Sequence, residues 1–219
     1  ILDKLTKFFI FKIKRFNPET FTAATFKIEG SNIEVKHQLK NLKSLAKKHN
    51  GFVAGESTGK SGYLATMVIA YIRELIFTQN ILGETMETSV PWSNINQVKS
   101  EAFKLLTQLH KDYNLPGKPF FTSRISKIYH SGVCMYNTIA ISCDGIDSPE
   151  DIFTKIEYAM RENFIKNGGS ISHHHGVGKI RKDFMDKTIS SGSISMIRGI
   201  KKAQDPHNIF GVKNNIVID

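Results

Sequence analysis

Two strand-like segments, Phe120–Tyr129 and Val133–Cys143, flank the short connection His130-Ser131-Gly132. So short a link containing glycine turns the chain back on itself, which predicts an antiparallel hairpin. A parallel pair needs a crossover of roughly a dozen residues or more, and there is no room for one. At least part of the sheet is therefore antiparallel.

The elements around the hairpin extend this reading. Residues 21–29, "FTAATFKIE", suit a strand. Ser31 and Glu34 in "SNIE" form a capping box, opening a helix that carries Val35, Leu39, Leu42 and Ala46 on one face and stops at Asn50-Gly51. "GFVAGE" reads as a short strand. A helix from about Tyr63 to Gln79 is apolar nearly all round, which predicts burial. A strand near Ile81–Ser89 leads to Pro91, suited to a helix's first turn, and Ile95, Val98, Ala102, Leu105 and Leu109 make the next apolar stripe. After the hairpin, Ser148-Pro149 opens a helix with Ile152, Ile156, Ala159 and Met160 facing inward, and Asn167-Gly168-Gly169 closes it. The expected class is α+β: an antiparallel or mixed sheet with helices on one face, followed by a C-terminal helical tail.

With 219 residues the chain can bury a substantial core. Thirty Lys and Arg against twenty Asp and Glu give a formal charge of +10, favouring anionic partners: nucleic acid, phosphorylated metabolites or an anionic membrane surface. Cys134 and Cys143 make neither a disulfide framework nor a CxxC pair, as in a reducing compartment. The apolar run "YLATMVIAYI" ends at Arg73, too short to span a bilayer. The chain opens on Ile1 within what reads as the middle of an element, so a fragment of a longer protein is expected.

Four features bear on chemistry. "AGESTGKS", Ala54–Ser61, meets a relaxed phosphate-loop pattern between an expected strand and helix, and "TIAISCD" ends in Asp144, a carboxylate of the kind that holds magnesium. The hairpin argues against that nucleotide-hydrolase reading. In "NGGSISHHHGVGKIRKDF", His173, His174 and His175 stand between two glycine-rich turns. No Cys, His or carboxylate lies at usual ligand spacing and Asp183 is the one acid nearby, so no metal site is expected. Gly176 and Gly178 free backbone N–H groups to face an anion at what reads as a helix start. Lys179, Arg181 and Lys182 add positive potential, and the histidines titrate near neutrality, which together predicts an anion-facing acid–base loop. Arg73 either snorkels to solvent or meets a bidentate anion. Tyr136 and Tyr129 both lie in the β-rich region, and spacing does not choose between them.

"GGSISHHHGVGKIRKDF", with "AGE…GY", "VIAYIREL", "LGETMETSVPW", "TSRI…YHSGVCMY" and "DPHNIFG" in order, resembles the alkyldihydroxyacetonephosphate synthases, a branch of the FAD-linked oxidase (vanillyl-alcohol oxidase-like) family. The triple histidine marks that branch; the wider family more often has a single histidine there. The resemblance implies a cap or substrate-binding domain over residues 1–167 and a tail over 168–219 returning toward a flavin domain. It implies Tyr136 as proton donor and acceptor, His173, His174 and His175 as essential histidines, and Arg73 as substrate binder at a phosphate. His174, His175 and Gly176 are implied to lie beside FAD. The implied reaction exchanges the acyl chain of acyl-dihydroxyacetone phosphate for a long-chain alcohol, FAD-dependent and without net redox change. The alternative within the family is a flavin-dependent 2-hydroxy-acid oxidoreductase. Also implied are a peroxisomal location, a homodimer, contact with a membrane surface and no nucleic-acid partner. Nothing in the chain resembles the family's flavin-binding domain, so the stretch by itself is expected to be inactive.

Overall fold

The computed structural model describes residues 7–18 and 20–214, which form two compact units, Ile1–Ile72 and Arg73–Asp219. In the first unit, α1 (Asn32–Lys48) opens on the expected capping box. The Glu34 N–H donates to Ser31 Oγ at 3.4 Å, and the Ser31 N–H donates to Glu34 Oε2 at 2.8 Å. The helix stops where Asn50 turns left-handed (φ 59°) and the Gly51 N–H donates to the Ala46 carbonyl at 2.7 Å.

Three expectations in this region are corrected. Residues 21–29 and 51–56 form no strands. A strand exists through its partner, and the described residues of this unit contain none to pair with. Their aromatic residues meet edge to face instead, Phe9 with Phe52 at 5.9 Å and Phe11 with Phe21 at 5.6 Å. Secondly, α2 (Glu56–Phe77) takes in Gly59, Lys60 and Ser61, and Lys60 Nζ pairs with Glu56 one turn earlier at 2.9 Å. With no strand ahead of the helix and residues 56–61 of the motif wound into it, no phosphate cradle is built and the nucleotide-hydrolase reading fails. Thirdly, no side chain of α2 among the described residues is buried: Leu64, Tyr71 and Leu75 are 62%, 75% and 63% exposed. Its composition calls for a covering surface, but periodicity says nothing about where that surface is.

The second unit holds β1 (Ile81–Pro91), α3 (Ile95–Asp112), β2 (Phe120–Ile128), β3 (Gly132–Ser142), α4 (Pro149–Lys166) and α5 (Ser191–Gln204). The hairpin forms as expected. The sheet order is β1-β3-β2 and both pairings are antiparallel. Gly132 is required where β3 starts, because a Cβ there would lie 2.1 Å from the Val90 carbonyl oxygen.

The period-two alternation of the strands sorts their side chains. Met86, Val90, Val133, Met135, Ile139 and Ile141 face α3 and α4 and form the main core with Val98, Ala102, Leu106, Ile156, Met160 and Phe164. Thr85, Glu87, Arg124, Cys134 and Tyr136 face the other way, with Glu87 and Arg124 each in register with Tyr136. All the helical stripe residues of α3 and α4 predicted from the sequence are buried or partly buried, though Leu106 rather than Leu105 is the fully buried leucine of α3.

The tail carries a smaller core of Ile171, Phe184 and Met185, then α5, then a turn held by Asp205. The Asp205 carboxylate accepts the Ile209 and Phe210 N–H groups, each at 2.9 Å, and pairs with Lys201. Foremost the Lys201 contact, then those two amides, hold its pKa at about 2, below the ordinary 3.8. A depressed carboxylate stabilises the fold above its unfolded pKa and loses that contribution as pH falls through the folded one. Amide protection at Ile209 and Phe210 is therefore expected to hold above about pH 4 and to disappear toward about pH 2. Hydrogen exchange read by mass spectrometry checks this; protection unchanged at the acid end would remove Asp205 as the latch.

Candidate active site

The site is built where the chain leaves α4 and wraps round the free edge of β1. The Ser170 N–H donates to the Ser89 carbonyl at 3.0 Å, the Ser89 N–H donates to Ser170 Oγ at 2.8 Å, and Thr88 Oγ1 donates to the Ser170 carbonyl at 2.8 Å. These bonds occupy polar groups that an edge strand otherwise exposes. Gly169 makes the approach close enough, since a Cβ there would sit 2.5 Å from Thr88 Oγ1 and 3.0 Å from the Phe164 carbonyl oxygen. The chain thus passes from the helix-covered face to the opposite one and lays the histidine tract on it.

Glu87 anchors the tract. Its side chain is fully buried. Oε1 accepts the N–H groups of His174 and His175 at 2.9 and 2.8 Å and the Ser172 hydroxyl at 2.8 Å. Burial pushes this carboxyl up, but the tract amides and the Ser172 hydroxyl outweigh it and hold the group at about 2. The anion that these amides hold is the chain's own carboxylate. The glycines that follow open onto no α-helix: a 3₁₀ turn starts only at Lys182, and Arg181 is buried, donating to the Gly176 carbonyl at 3.0 Å. The expected anion-facing helix start is therefore corrected. Steric freedom remains at Gly176 and Gly178, with φ of 75° and 53° and open space where a Cβ would lie.

Both tyrosines reach the histidines. Tyr129 Oη lies 2.7 Å from His173 Nε2, and His173 Nδ1 lies 2.9 Å from His174 Nδ1. Two tautomeric settings satisfy both contacts, one with each histidine accepting and one with each donating back toward the tyrosine. Passing between them carries a proton along the row. Tyr136 stacks on His174 (centroids 6.0 Å apart, planes 20° apart) and meets the His175 ring edge-on at 5.6 Å. Its hydroxyl donates to Thr85 Oγ1 at 3.2 Å, and the Arg124 guanidinium lies over its ring at 4.6 Å. Burial lowers the His175 pKa against the opposing pull of Glu87, and the nearby Arg181 guanidinium adds to the lowering.

Tyr136, His173, His174 and His175 thus converge, with Gly176 next to them. Arg73 lies in α2, but its side chain falls outside the described residues. Sequence reasoning missed Glu87, Arg124 and Thr85. The signal for Glu87 was present in "ETMETS": alternation puts this acid on the face opposite Met86, inside a strand, where a charge needs partners. In space, Glu87, Cys134, His173 and His174 each bring a ligand atom within 4.8 Å of the others, although their sequence spacing is not that of a metal site.

Residues 3–213 match the family described as FAD linked oxidases, C-terminal domain. The chain is 36% identical over 216 residues to alkyldihydroxyacetonephosphate synthase of Caenorhabditis elegans, covering 99% of this chain and 36% of that protein. It is 25% identical over 205 residues to the Dictyostelium discoideum enzyme of the same name, covering 94% and 33%. An uncharacterised FAD-linked oxidoreductase of Escherichia coli (strain K12) is 27% identical over 147 residues, covering 65% and 29%. A solved structure of alkyldihydroxyacetonephosphate synthase superposes with a TM-score of 0.58 at 22% identity, over 84% of this chain and 30% of that one, a likeness of fold. The chain spans about a third of the length of these relatives.

Proposed function

Because the chain belongs to the family of FAD-linked oxidases, as their C-terminal domain, we propose that it forms the acid–base and substrate side of an alkyldihydroxyacetonephosphate synthase. The observation that carries this reading is the packing of Tyr136 against His174 and His175 on a tract pinned by buried Glu87. In the proposed reaction the acyl–oxygen substituent of acyl-dihydroxyacetone phosphate leaves as a fatty acid. A long-chain alcohol takes its place on the same carbon and gives up its hydroxyl proton. Both halves need a group that takes a proton and returns it, the work of a tyrosine–histidine cluster. Arg73 is assigned to the substrate phosphate.

The cofactor of the family fits one edge of this site. His174, His175 and Gly176 are exposed, and nothing stands over Gly176 or Gly178. These residues would line one side of FAD, which when bound supplies an electron-accepting ring beside which the exchange runs without net redox change. On this reading the chain is the C-terminal part of a longer peroxisomal, homodimeric enzyme that meets its lipid substrates at a membrane surface. Residues 1–167 serve substrate binding and 168–219 are the cofactor-side tail.

In the FAD-loaded holoenzyme, Tyr136→Phe is expected to lower exchange of labelled hexadecanol into acyl-dihydroxyacetone phosphate at least ~100-fold while FAD stays bound. Full activity in that variant would defeat the assignment. Reduction of a dye by lactate or glycolate, without exchange, would favour the 2-hydroxy-acid oxidoreductase reading instead.

A further inference from the structure

We propose that Glu87, Cys134, His173 and His174 form a binding site for a zinc-class divalent cation. Each residue brings one ligand atom within 4.8 Å of those of the others, and the short separations single out Glu87 Oε2, Cys134 Sγ and the Nδ1 atoms of both histidines. Oε2 lies 4.0 Å from His173 Nδ1, 3.7 Å from His174 Nδ1 and 4.0 Å from Cys134 Sγ, and the two Nδ1 atoms are 2.9 Å apart. A tetrahedron with metal–ligand bonds of about 2.0–2.3 Å has edges of about 3.3–3.7 Å. The measured separations straddle that range, so side-chain shifts of well under an ångström to about one close the shell.

The opposite end of two ligands is already fixed. Glu87 Oε1 is held by the His174 and His175 amides and the Ser172 hydroxyl, which leaves Oε2 for a cation. The Tyr129 hydroxyl holds His173 Nε2 at 2.7 Å, which leaves Nδ1 directed inward. Such outer partners orient metal ligands in established sites. One sulfur, two imidazoles and one carboxylate select a borderline-soft cation and disfavour magnesium and calcium, which take oxygen shells. The charges balance: on binding, the Cys134 thiol releases its proton to solvent, and thiolate plus carboxylate neutralise the doubly charged ion. Cys134 and Glu87 are buried, whereas the His174 side chain is 49% exposed and marks the entry side. A cation here ties β1, β3 and the tract together through bonds to side chains alone.

Cobalt(II) is the probe of choice, because tetrahedral coordination and a thiolate ligand each leave a mark in its absorption spectrum. The chelator-stripped protein is expected to bind one equivalent saturably, with intense visible bands and a near-ultraviolet thiolate-to-cobalt band in the difference spectrum. Zinc should abolish both. Cys134→Ser should lose the thiolate band. His174→Ala, a change at an exposed side chain that leaves the fold intact, should weaken binding about tenfold or more. Absence of saturable binding at micromolar cobalt overturns the site. So does binding without a thiolate band, which marks adventitious capture by consecutive histidines. Neither flavin nor lipid substrate enters this measurement, so its result is independent of the exchange activity.

Discussion

Glu87→Ala is expected to destabilise the second unit by about 3–5 kcal/mol in chelator-treated protein. The carboxylate is the sole acceptor the structure gives for the His174 and His175 amides and the Ser172 hydroxyl among the described residues. Each donor left without a partner costs about 1–3 kcal/mol when buried, so three donors would cost about 3–9 kcal/mol; partial access of water at the exposed histidines keeps the sum in the lower part of that range. The alanine also leaves a void beneath the tract. Glu87→Gln separates the contributions. Its one amide oxygen can accept from the tract, while the NH₂ group faces the Nδ1 atoms, so a loss of about 1–2 kcal/mol is expected. Urea unfolding followed by far-ultraviolet circular dichroism reads both changes. If Glu87→Ala is as stable as the parent chain, the tract is not held by this residue.

Phe184→Ala is expected to cost about 3–5 kcal/mol, most of it local to the tail. Phe184 is fully buried and has the largest side chain in that state among the described residues, at the centre of the small core with Ile171 and Met185. Its ring meets that of Tyr158, on α4, at 4.6 Å. So few neighbours cannot collapse into the space of a phenyl ring, and the cavity term is then large. The matching control is Phe103→Ala on α3, where the ring is 50% exposed and touches Phe121; about 1 kcal/mol or less is expected there. Limited proteolysis should cut the Phe184 variant between the histidine tract and α5 while β1, β2 and β3 stay protected. Loss of the whole unit at once would show that the two cores unfold as one.

The Glu87 case shows why part of the site escapes a reading along the chain. The tract announces itself by composition, and the tyrosines follow from the hairpin. The carboxylate that makes the tract rigid lies 85 to 88 positions earlier, and only the pairing of Ser170 with the free edge of β1 brings the histidines over it. The β1–β3 register, in turn, sets Cys134 diagonally across from Glu87, so a ligand set scattered over β1, β3 and the tract has no one-dimensional signature. The anion-loop expectation met the same limit. Free amides and glycines are visible in a sequence, but which anion satisfies them is a matter of what folds underneath.

Local rules held wherever a segment carries its own reasons. The capping box of α1, the stripes of α3 and α4, and the hairpin with its obligatory Gly132 depend on neighbours a few residues away or directly across a turn. Expected strands at 21–29 and 51–56 and the burial of α2 failed because each required a partner surface that local pattern cannot supply. The sequence by itself determined the α+β class, the antiparallel pairing and the place of the histidines in the chain, since these follow from alternation, capping and turn chemistry. Only the tertiary structure decided that the tract folds over a buried carboxylate and that Tyr129 joins Tyr136 at the histidines. Those outcomes are set by strand register and edge pairing, long-range contacts that no local pattern encodes.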